Sequence, residues 1–404
     1  NGELIDVTEQ ANLIQNSLAW TQGACWGDYD RDGFLDLYVS NYNWNTGIDN
    51  WLYHNNGDGT FTETAQELGV SNGSCPTFQA VFMDYNNDLW PDIFVINDRI
   101  PTNAMYRNNG DGSFTDVTYT AGVNHSIDAM TASVCDFDKD GDQDIYVTNG
   151  PNGNLFLEND NGVYLNTAPG TALEVNTLSW GATWIDFNNN GYEDLYVCTE
   201  SPFGENENRF FKNGPTGLSP NQNAFNGSNS FSAHSSAKAD FNCDGKQDLV
   251  VHASSPDNAR LFINQGEAGN SVQIQLEGVI SNKDGVGSWV TSYFNGTSSC
   301  VFTMCGGGYM AQDSQYLTIG IGSNEILDRV EIQWPSGQFD SFSDLLPGSL
   351  IKLVEGSSEI TTINHETTSI CEGDSLYLEI SGGNSPIWSN GTQANGLWVN
   401  EPGE

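Results

Sequence analysis

Five short stretches of this chain carry carboxylates at spacings that suit a divalent cation. The fullest reads Asp136-Phe-Asp138-Lys-Asp140-Gly141-Asp142-Gln-Asp144. Alternate acidic residues in a tight loop turn their oxygens toward a common centre, where they repel unless a cation lies between them. A hard ion such as Ca2+ is the natural occupant, because it accepts many oxygens in a tolerant geometry. Gly141 supplies the backbone freedom for the turn. The siblings are Asp28-Tyr-Asp30-Arg-Asp32-Gly33-Phe34-Leu-Asp36, Asp84-Tyr-Asn86-Asn-Asp88-Leu89-Trp90-Pro-Asp92, Asp186-Phe-Asn188-Asn-Asn190-Gly191-Tyr192-Glu-Asp194 and Asp240-Phe-Asn242-Cys-Asp244-Gly245-Lys246-Gln-Asp248. An EF-hand is the neighbouring reading. It fails because its twelfth position would be Val39 or Val147 rather than Glu, and strand-like sequence follows.

The elements that position these loops follow from their period. First aspartates are separated by 56, 52, 50 and 54 residues, and a period near fifty with β-type content predicts an array of similar sheets. A second motif runs in phase: Leu52-Tyr-His-Asn-Asn-Gly57-Asp58-Gly59-Thr-Phe61 is matched by Met105-Tyr-Arg-Asn-Asn-Gly110-Asp111-Gly112-Ser-Phe114. Both read as strand, turn, strand. Weaker copies occupy residues 155–164 and 210–217, and another begins at Leu261. Each repeat thus offers about four short strands, the content of a propeller blade. Leu4-Ile-Asp-Val-Thr-Glu-Gln-Ala11 matches Phe114-Thr-Asp-Val-Thr-Tyr-Thr-Ala121. It is expected to complete the last sheet and remove an open edge.

Around Ser271 the texture changes. No acidic loop recurs, and strands are expected near residues 272–276, 288–294, 300–304, 316–319, 329–334 and 350–354. A Ser/Thr-rich linker follows, and then a tail that reads as the first half of an immunoglobulin-like sandwich, too short to close its own core. The expected fold class is all-β. It comprises a calcium-binding propeller with five loops over residues 1–270, a small β module over 271–356, a linker over 357–368 and a partial immunoglobulin-like segment over 369–404.

Charge excludes some partners. Lys plus Arg number 12 against 53 Asp plus Glu, a formal net charge of −41. Such a surface repels nucleic acid and anionic lipid, and no apolar run reaches membrane-span length. The 11 tryptophans argue for packed structure rather than disorder. The chain opens at Asn1 without a starting Met, as a processed, exported protein would. Eight cysteines at no zinc-like spacing point to disulfides in an oxidising compartment. Spacing fixes no pairing; Cys25–Cys75 and Cys300–Cys305 are the pairs considered.

On these motifs, residues 1–270 resemble the FG-GAP/VCBS repeat family, whose Asp-x-Asp/Asn-x-Asp-Gly-x-x-Asp loops bind calcium in propellers such as those of integrin α-chains. Residues 271–356 resemble the ASPIC/UnbV module of cartilage-acidic-protein-like proteins. The matching pieces are Gly285-Val-Gly-Ser-Trp-Val290, Gly308-Tyr-Met-Ala-Gln312, Gly320-Ile-Gly322 and Trp334-Pro-Ser-Gly337. The tail resembles immunoglobulin-like repeats of secreted Bacteroidetes proteins. The first resemblance implies ligands from the side chains at loop positions one, three, five and nine, and from the carbonyl of position seven. These are Asp28, Asp30, Asp32, Phe34 and Asp36; Asp84, Asn86, Asp88, Trp90 and Asp92; Asp136, Asp138, Asp140, Asp142 and Asp144; Asp186, Asn188, Asn190, Tyr192 and Asp194; Asp240, Asn242, Asp244, Lys246 and Asp248. Leu89 stands where the family has glycine, and Asn188 and Asn190 replace acidic ligands. Loops two and four are therefore expected to bind calcium more weakly.

No catalytic constellation stands out. The five histidines form no metal-spaced pair, and no nucleophile elbow or phosphate loop occurs. Trp20, Trp180 and Trp184 suit either core packing or a sugar platform. The expectation is a secreted, non-catalytic, calcium-binding protein acting in cell adhesion or as an extracellular structural scaffold. The open edge of the tail and shared cations suggest self-assembly into a filament. Its partners would be calcium, copies of itself, or a cell-surface protein or glycan. The alternative is a carbohydrate-binding or polysaccharide-lyase-type protein using the propeller face.

Overall fold

The computed structural model describes residues 4–13, 19–42, 48–99, 101–201, 207–255, 257–357, 360–364, 376–381 and 396–399. The protein is all-β, with one antiparallel sheet for each acidic loop. The first sheet runs β1 (Thr21–Gly27), β2 (Asp36–Asn41), β3 (Trp51–Asn55) and β4 (Phe61–Glu63). The second runs β5 (Thr77–Met83), β6 (Asp92–Asn97), β7 (Ala104–Asn108) and β8 (Phe114–Asp116). The third holds β9 (Ala132–Cys135), β10 (Asp144–Val147), β11 (Leu155–Asp160) and β12 (Val163–Asn166). The fourth holds β13 (Leu178–Ile185), β14 (Asp194–Glu200), β15 (Arg209–Lys212) and β16 (Ser219–Pro220). The fifth has three strands, β17 (Ala233–Ala239), β18 (Asp248–Ala253) and β19 (Arg260–Phe262). Second strands such as Ile93-Phe-Val-Ile96 are buried on both faces. They therefore read as unbroken apolar runs rather than alternating ones.

Successive sheets pack on one another through separate cores. Tyr38 and Leu52 meet Ile93 and Val95 between sheets one and two. Phe94 and Met105 meet Ile145 and Leu157 between two and three. Phe156 meets Trp184 and Phe211 between three and four, and Phe210 meets Leu249 and Val251 between four and five. Among the described residues, no such core joins sheet five to sheet one. Phe241, Leu261 and Ile263 of sheet five are exposed.

A repeated side-chain bond runs along the same path. An asparagine at or just past the end of the third strand donates Nδ2 to a carbonyl of the preceding loop: Asn108 to Tyr29 (2.7 Å), Asn159 to Tyr85 (2.9 Å), Asn213 to Phe137 (2.8 Å) and Asn264 to Phe187 (2.6 Å). The Asn55 amide donates instead to Leu35 within its own sheet. The N-terminal segment does not complete sheet five. Residues 4–7 form no strand, and Leu4, Ile5 and Val7 are exposed. The Ala11 carbonyl accepts the Phe61 N–H, so the segment lies against the first sheet instead.

The second module packs two sheets around one core of Val272, Ile274, Leu327, Val330, Ile332, Trp334 and Leu353. Its strands are β20 (Asn270–Glu277), β21 (Trp289–Phe294), β22 (Thr297–Phe302), β23 (Leu317–Gly322), β24 (Leu327–Gln333), β25 (Phe339–Leu345) and β26 (Leu350–Val354). β25 was not expected, because Phe339-Asp-Ser-Phe-Ser-Asp-Leu345 is too polar to stand out. Within the expected linker, β27 (Thr361–Asn364) pairs with β26; β28 (Leu376–Ser381) and β29 (Gly396–Val399) then extend the same sheet. The rest of the expected immunoglobulin-like segment lies outside the described residues.

Neither considered disulfide is present, and all seven described cysteines are free thiols. Cys25 is buried between sheets one and two, while the Cys75 thiol turns to the Asn72 carbonyl. Cys300 faces Thr291 across β21–β22, whereas Cys305 lies beyond β22 and accepts the Trp26 N–H. Cys371 lies outside the described residues.

The between-sheet asparagines give a direct test of this packing. Asn159→Ala leaves the buried Tyr85 and Gln143 carbonyls without their amide donor, and should lower the unfolding free energy by about 2 kcal/mol in denaturant titrations. Asn55→Ala, whose amide reaches no other sheet, should cost less. Equal losses would show that the joint between sheets adds nothing.

Candidate metal centres

Each acidic loop joins the first and second strands of its sheet, and its own polar groups shape it. The position-five N–H bonds the position-three side chain at 3.1–3.4 Å in all five loops. The position-seven N–H of Phe34, Trp90, Asp142, Tyr192 or Lys246 donates to the position-five side chain at 2.7–3.1 Å. These are consecutive Asx turns. Position six takes positive φ throughout: Gly33, Gly141, Gly191 and Gly245 do so without penalty, and Leu89 follows at +73°. A leucine held there is strained, as its place in the motif foretold.

Position nine ties each loop to its sheet. Asp36, Asp92, Asp144, Asp194 and Asp248 are all buried. In each, one carboxylate oxygen accepts the position-two N–H and the other accepts the N–H of the asparagine at or just past the end of the third strand. For Asp36 the donors are Tyr29 (3.0 Å) and Asn55 (2.8 Å); for Asp92 they are Tyr85 (3.2 Å) and Asn108 (2.7 Å). Asp144, Asp194 and Asp248 repeat the pattern with Phe137 and Asn159, Phe187 and Asn213, and Phe241 and Asn264.

Position one divides the loops into two groups. Both oxygens of Asp84, Asp186 and Asp240 accept backbone N–H groups of their own loops, at 2.7–3.1 Å. The second module adds donors: Trp289 Nε1 to Asp84 (2.8 Å) and Gln273 Nε2 to Asp240 (2.9 Å). Gly320 presses on Asp186, and a Cβ there would run into its carboxylate and the Asn189 backbone. Loops one and three differ. Asp28 Oδ1 and both Asp136 oxygens are buried without a hydrogen-bond partner. The ligand atoms of Asp28, Asp30 and Asp32, and of Asp136, Asp138 and Asp144, lie within 4.8 Å of one another.

Asn86, Asp88, Asn188, Asn190, Asn242 and Asp244 occupy their expected loop positions, and the carboxylates of these three loops form no such cluster among the described residues. In loop five the Lys246 ammonium already stands 3.4 Å from Asp244. The carboxylate oxygens of loops one and three, with two buried aspartates each, fit a divalent cation. Sequence reasoning missed two features. Position four, also at positive φ in every loop, reaches forward to the next one. Arg31 bonds the Leu89 carbonyl and stacks on Trp90, Asn87 bonds the Gly141 carbonyl, Lys139 lies over the Tyr192 ring, and Asn189 bonds the Gly245 carbonyl. The other feature is His54, which contacts Asp30 and Asp36; its in-phase place in the second motif was the available signal.

Elsewhere, Ser254 Oγ and Glu200 both approach the same nitrogen of His234, Nε2. A carboxylate that orients a catalytic histidine must hold the other nitrogen, so these three make no relay. Trp184 is core, bonded to the Ser133 carbonyl, while Trp180 is half-buried and Trp20 exposed.

Comparison of the sequence with known families matches the FG-GAP-like repeat over residues 28–95, 84–147, 136–197 and 186–251. Each window opens on a position-one aspartate. Together they run unbroken from 28 to 251, more than half of the 404 residues, and the chain belongs to the FG-GAP-like repeat family. The ASPIC and UnbV module is matched over residues 278–360. No curated protein matches the chain. Among solved structures, the Photorhabdus luminescens Tc holotoxin pore aligns at 14% identity and a TM-score of 0.31. That alignment covers 95% of this chain and 19% of the toxin chain, and a likeness so remote says nothing of function. No helix among the described residues is long and apolar enough to cross a membrane.

Burial pushes the carboxyls of Asp28 and Asp136 up to about 7, and repulsion from their loop neighbours adds to the rise. Burial pushes Asp36 to about 8 and Asp144 to about 9, against the opposing effect of their backbone donors. Unfolded aspartates titrate near pH ~4. Between there and about pH 9 the cation-free fold therefore holds more protons than the unfolded chain, and its stability falls as pH rises. In chelator, the thermal midpoint should drop from pH 5 to pH 8, and calcium should restore it at pH 8. A chelated midpoint that climbs over that range contradicts the assignment.

Proposed function

We propose that this chain is a secreted, non-catalytic adhesion or scaffold protein. In this reading its five sheets form a propeller stabilised by calcium, and the second module covers the loop face. The observation that carries it is the set of buried, unpartnered carboxylate oxygens on Asp28 and Asp136. A buried charge without a partner is strongly destabilising, and a cation held by surrounding oxygens relieves it. Loop three, whose cluster is carboxylate alone, is the primary calcium site, and loop one is a second cation site. Loops two, four and five bind more weakly, because hydrogen bonds already engage their position-one oxygens. For loop five this is a new expectation from the structure. FG-GAP repeats occur in extracellular proteins, and a net charge of −41 suits a molecule that meets its partners, including further copies of itself, through shared cations.

A second reading, a glycan-binding face, is favoured by an aromatic row at the strand ends away from the loops. Tyr42 packs on Phe78 at 4.7 Å, and Phe78 and Trp180 both pack on Tyr309 at 6.2 and 5.6 Å. Glu200 accepts the Trp180 indole N–H beside them.

The calcium reading is tested at loop three. With calcium at tenfold its dissociation constant, Asp138→Ala combined with Asp140→Ala should remove about 1.4 kcal/mol of stability. In chelator the variant should melt like the parent. Calorimetric titration should also count fewer calcium ions on the variant. A variant that melts like the parent in calcium means that this loop holds no ion.

A further inference from the structure

His54 sets loop one apart. It stands at the end of β3 just before Asn55, a place held by Arg107, Glu158, Lys212 and Ile263 in the other repeats. Its Nδ1 lies 3.2 Å from Asp30 Oδ2 and 3.3 Å from Asp36 Oδ1, and the three ligand atoms fall within 4.8 Å of one another. That nitrogen is shut off from solvent without a hydrogen-bond partner. An independent observation points the same way: Asp28, only 1% exposed, has Oδ1 unpartnered while Oδ2 accepts the Gly33 N–H, and a carboxylate oxygen of Asp28 lies within 4.8 Å of those of Asp30 and Asp32. Adjacent donors bound about 2.2 Å from a six-coordinate ion stand about 3.1 Å apart, close to the spacings seen here.

We propose that loop one is a mixed nitrogen–oxygen centre that takes a first-row transition ion, with Mn2+ as the probe, in preference to Ca2+. Its ligands are His54 Nδ1, Asp30 and Asp36, with Asp28 and Asp32 completing the shell. The inference rests on reading the loops as cation sites. Calcium is a hard ion that selects oxygen ligands, whereas imidazole suits the transition series. No other repeat offers an imidazole at this place. The rival occupant is a proton on Nδ1, which would donate to either carboxylate.

The test loads metal-free full-length protein with Mn2+ in the presence of excess Ca2+. One Mn2+ per chain should remain, with nitrogen modulation from the imidazole in its pulsed electron paramagnetic resonance signal. His54→Glu, which installs the residue type found in repeat three, should abolish the modulation and weaken Mn2+ retention at least tenfold. Calcium uptake by the remaining loops, read by calorimetric titration, should not change. Bound Mn2+ without nitrogen modulation, or Mn2+ displaced by calcium as readily from the parent as from the variant, overturns the proposal. The two readings fail separately. Nitrogen-coupled Mn2+ without any calcium uptake sinks only the calcium assignment, and calcium uptake without nitrogen-coupled Mn2+ sinks only this one. If His54→Glu does not fold, the parent's nitrogen signal decides alone.

Discussion

The structure of each repeat depends on one buried carboxylate, the aspartate at loop position nine. Removing such a group from water costs several kcal/mol unless its oxygens are satisfied. Here two backbone N–H groups do so, one from the loop and one from the end of the third strand. Asp36 holds Tyr29 and Asn55, and Asp248 holds Phe241 and Asn264. The bond from the loop fixes where the acidic turn begins, and the bond from the strand fixes it against the sheet. Within the turn so anchored, positions one, three and five converge in loop one, and positions one, three and nine in loop three.

From that anchor the repeats are linked in series. The asparagine whose N–H reaches position nine sends its side chain back to the preceding loop, and position four sends its side chain forward to the next. Both kinds of contact occur at the four junctions between consecutive sheets. At the ends of the series the pattern changes: the Asn55 amide turns inward to Leu35, and Cys243 is exposed. The second module acts on the whole row. Residues 305–314 touch β1, β5, β13 and β17 through the Cys305 carbonyl, the Gly306 carbonyl, Tyr309 and Asp313. Trp289, Gln273 and Gly320 meanwhile reach the loops.

What could be read from the sequence follows the range of the forces involved. The repeat period, the strand–turn–strand motif and the strain at Leu89 are local, and each has a residue signature. The N-terminal copy of a blade-ending strand was equally legible, yet it lies against sheet one, because strand propensity does not choose between sheets. Position four escaped notice because Arg31, Asn87, Lys139 and Asn189 do the same work with different chemistry, so no shared residue type marks the role. The Trp289–Asp84 bond joins positions 205 residues apart, and only the folded chain brings them together. The thiols were misread because their number suggested bridges, while Cys25 and Cys198 pack as small apolar groups in the cores.

The contrast among the five loops then has a physical meaning. A buried position-one aspartate can be satisfied by neutral donors or by a cation, and the two are alternative answers to one electrostatic problem. At loops two and five, side chains of the second module supply extra donors to an aspartate whose oxygens are already bonded. At loop one Asp28 Oδ2 accepts the Gly33 N–H while Oδ1 is unpartnered, and at loop three both Asp136 oxygens are, among carboxylates that repel one another. The same nine-residue sequence pattern therefore leaves its first carboxylate either fully hydrogen-bonded, with the second module docked on it, or with buried oxygens unpartnered. The loop's own backbone decides first, since its N–H groups bond both position-one oxygens in loops two, four and five, and the second module adds Trp289 and Gln273 to two of these.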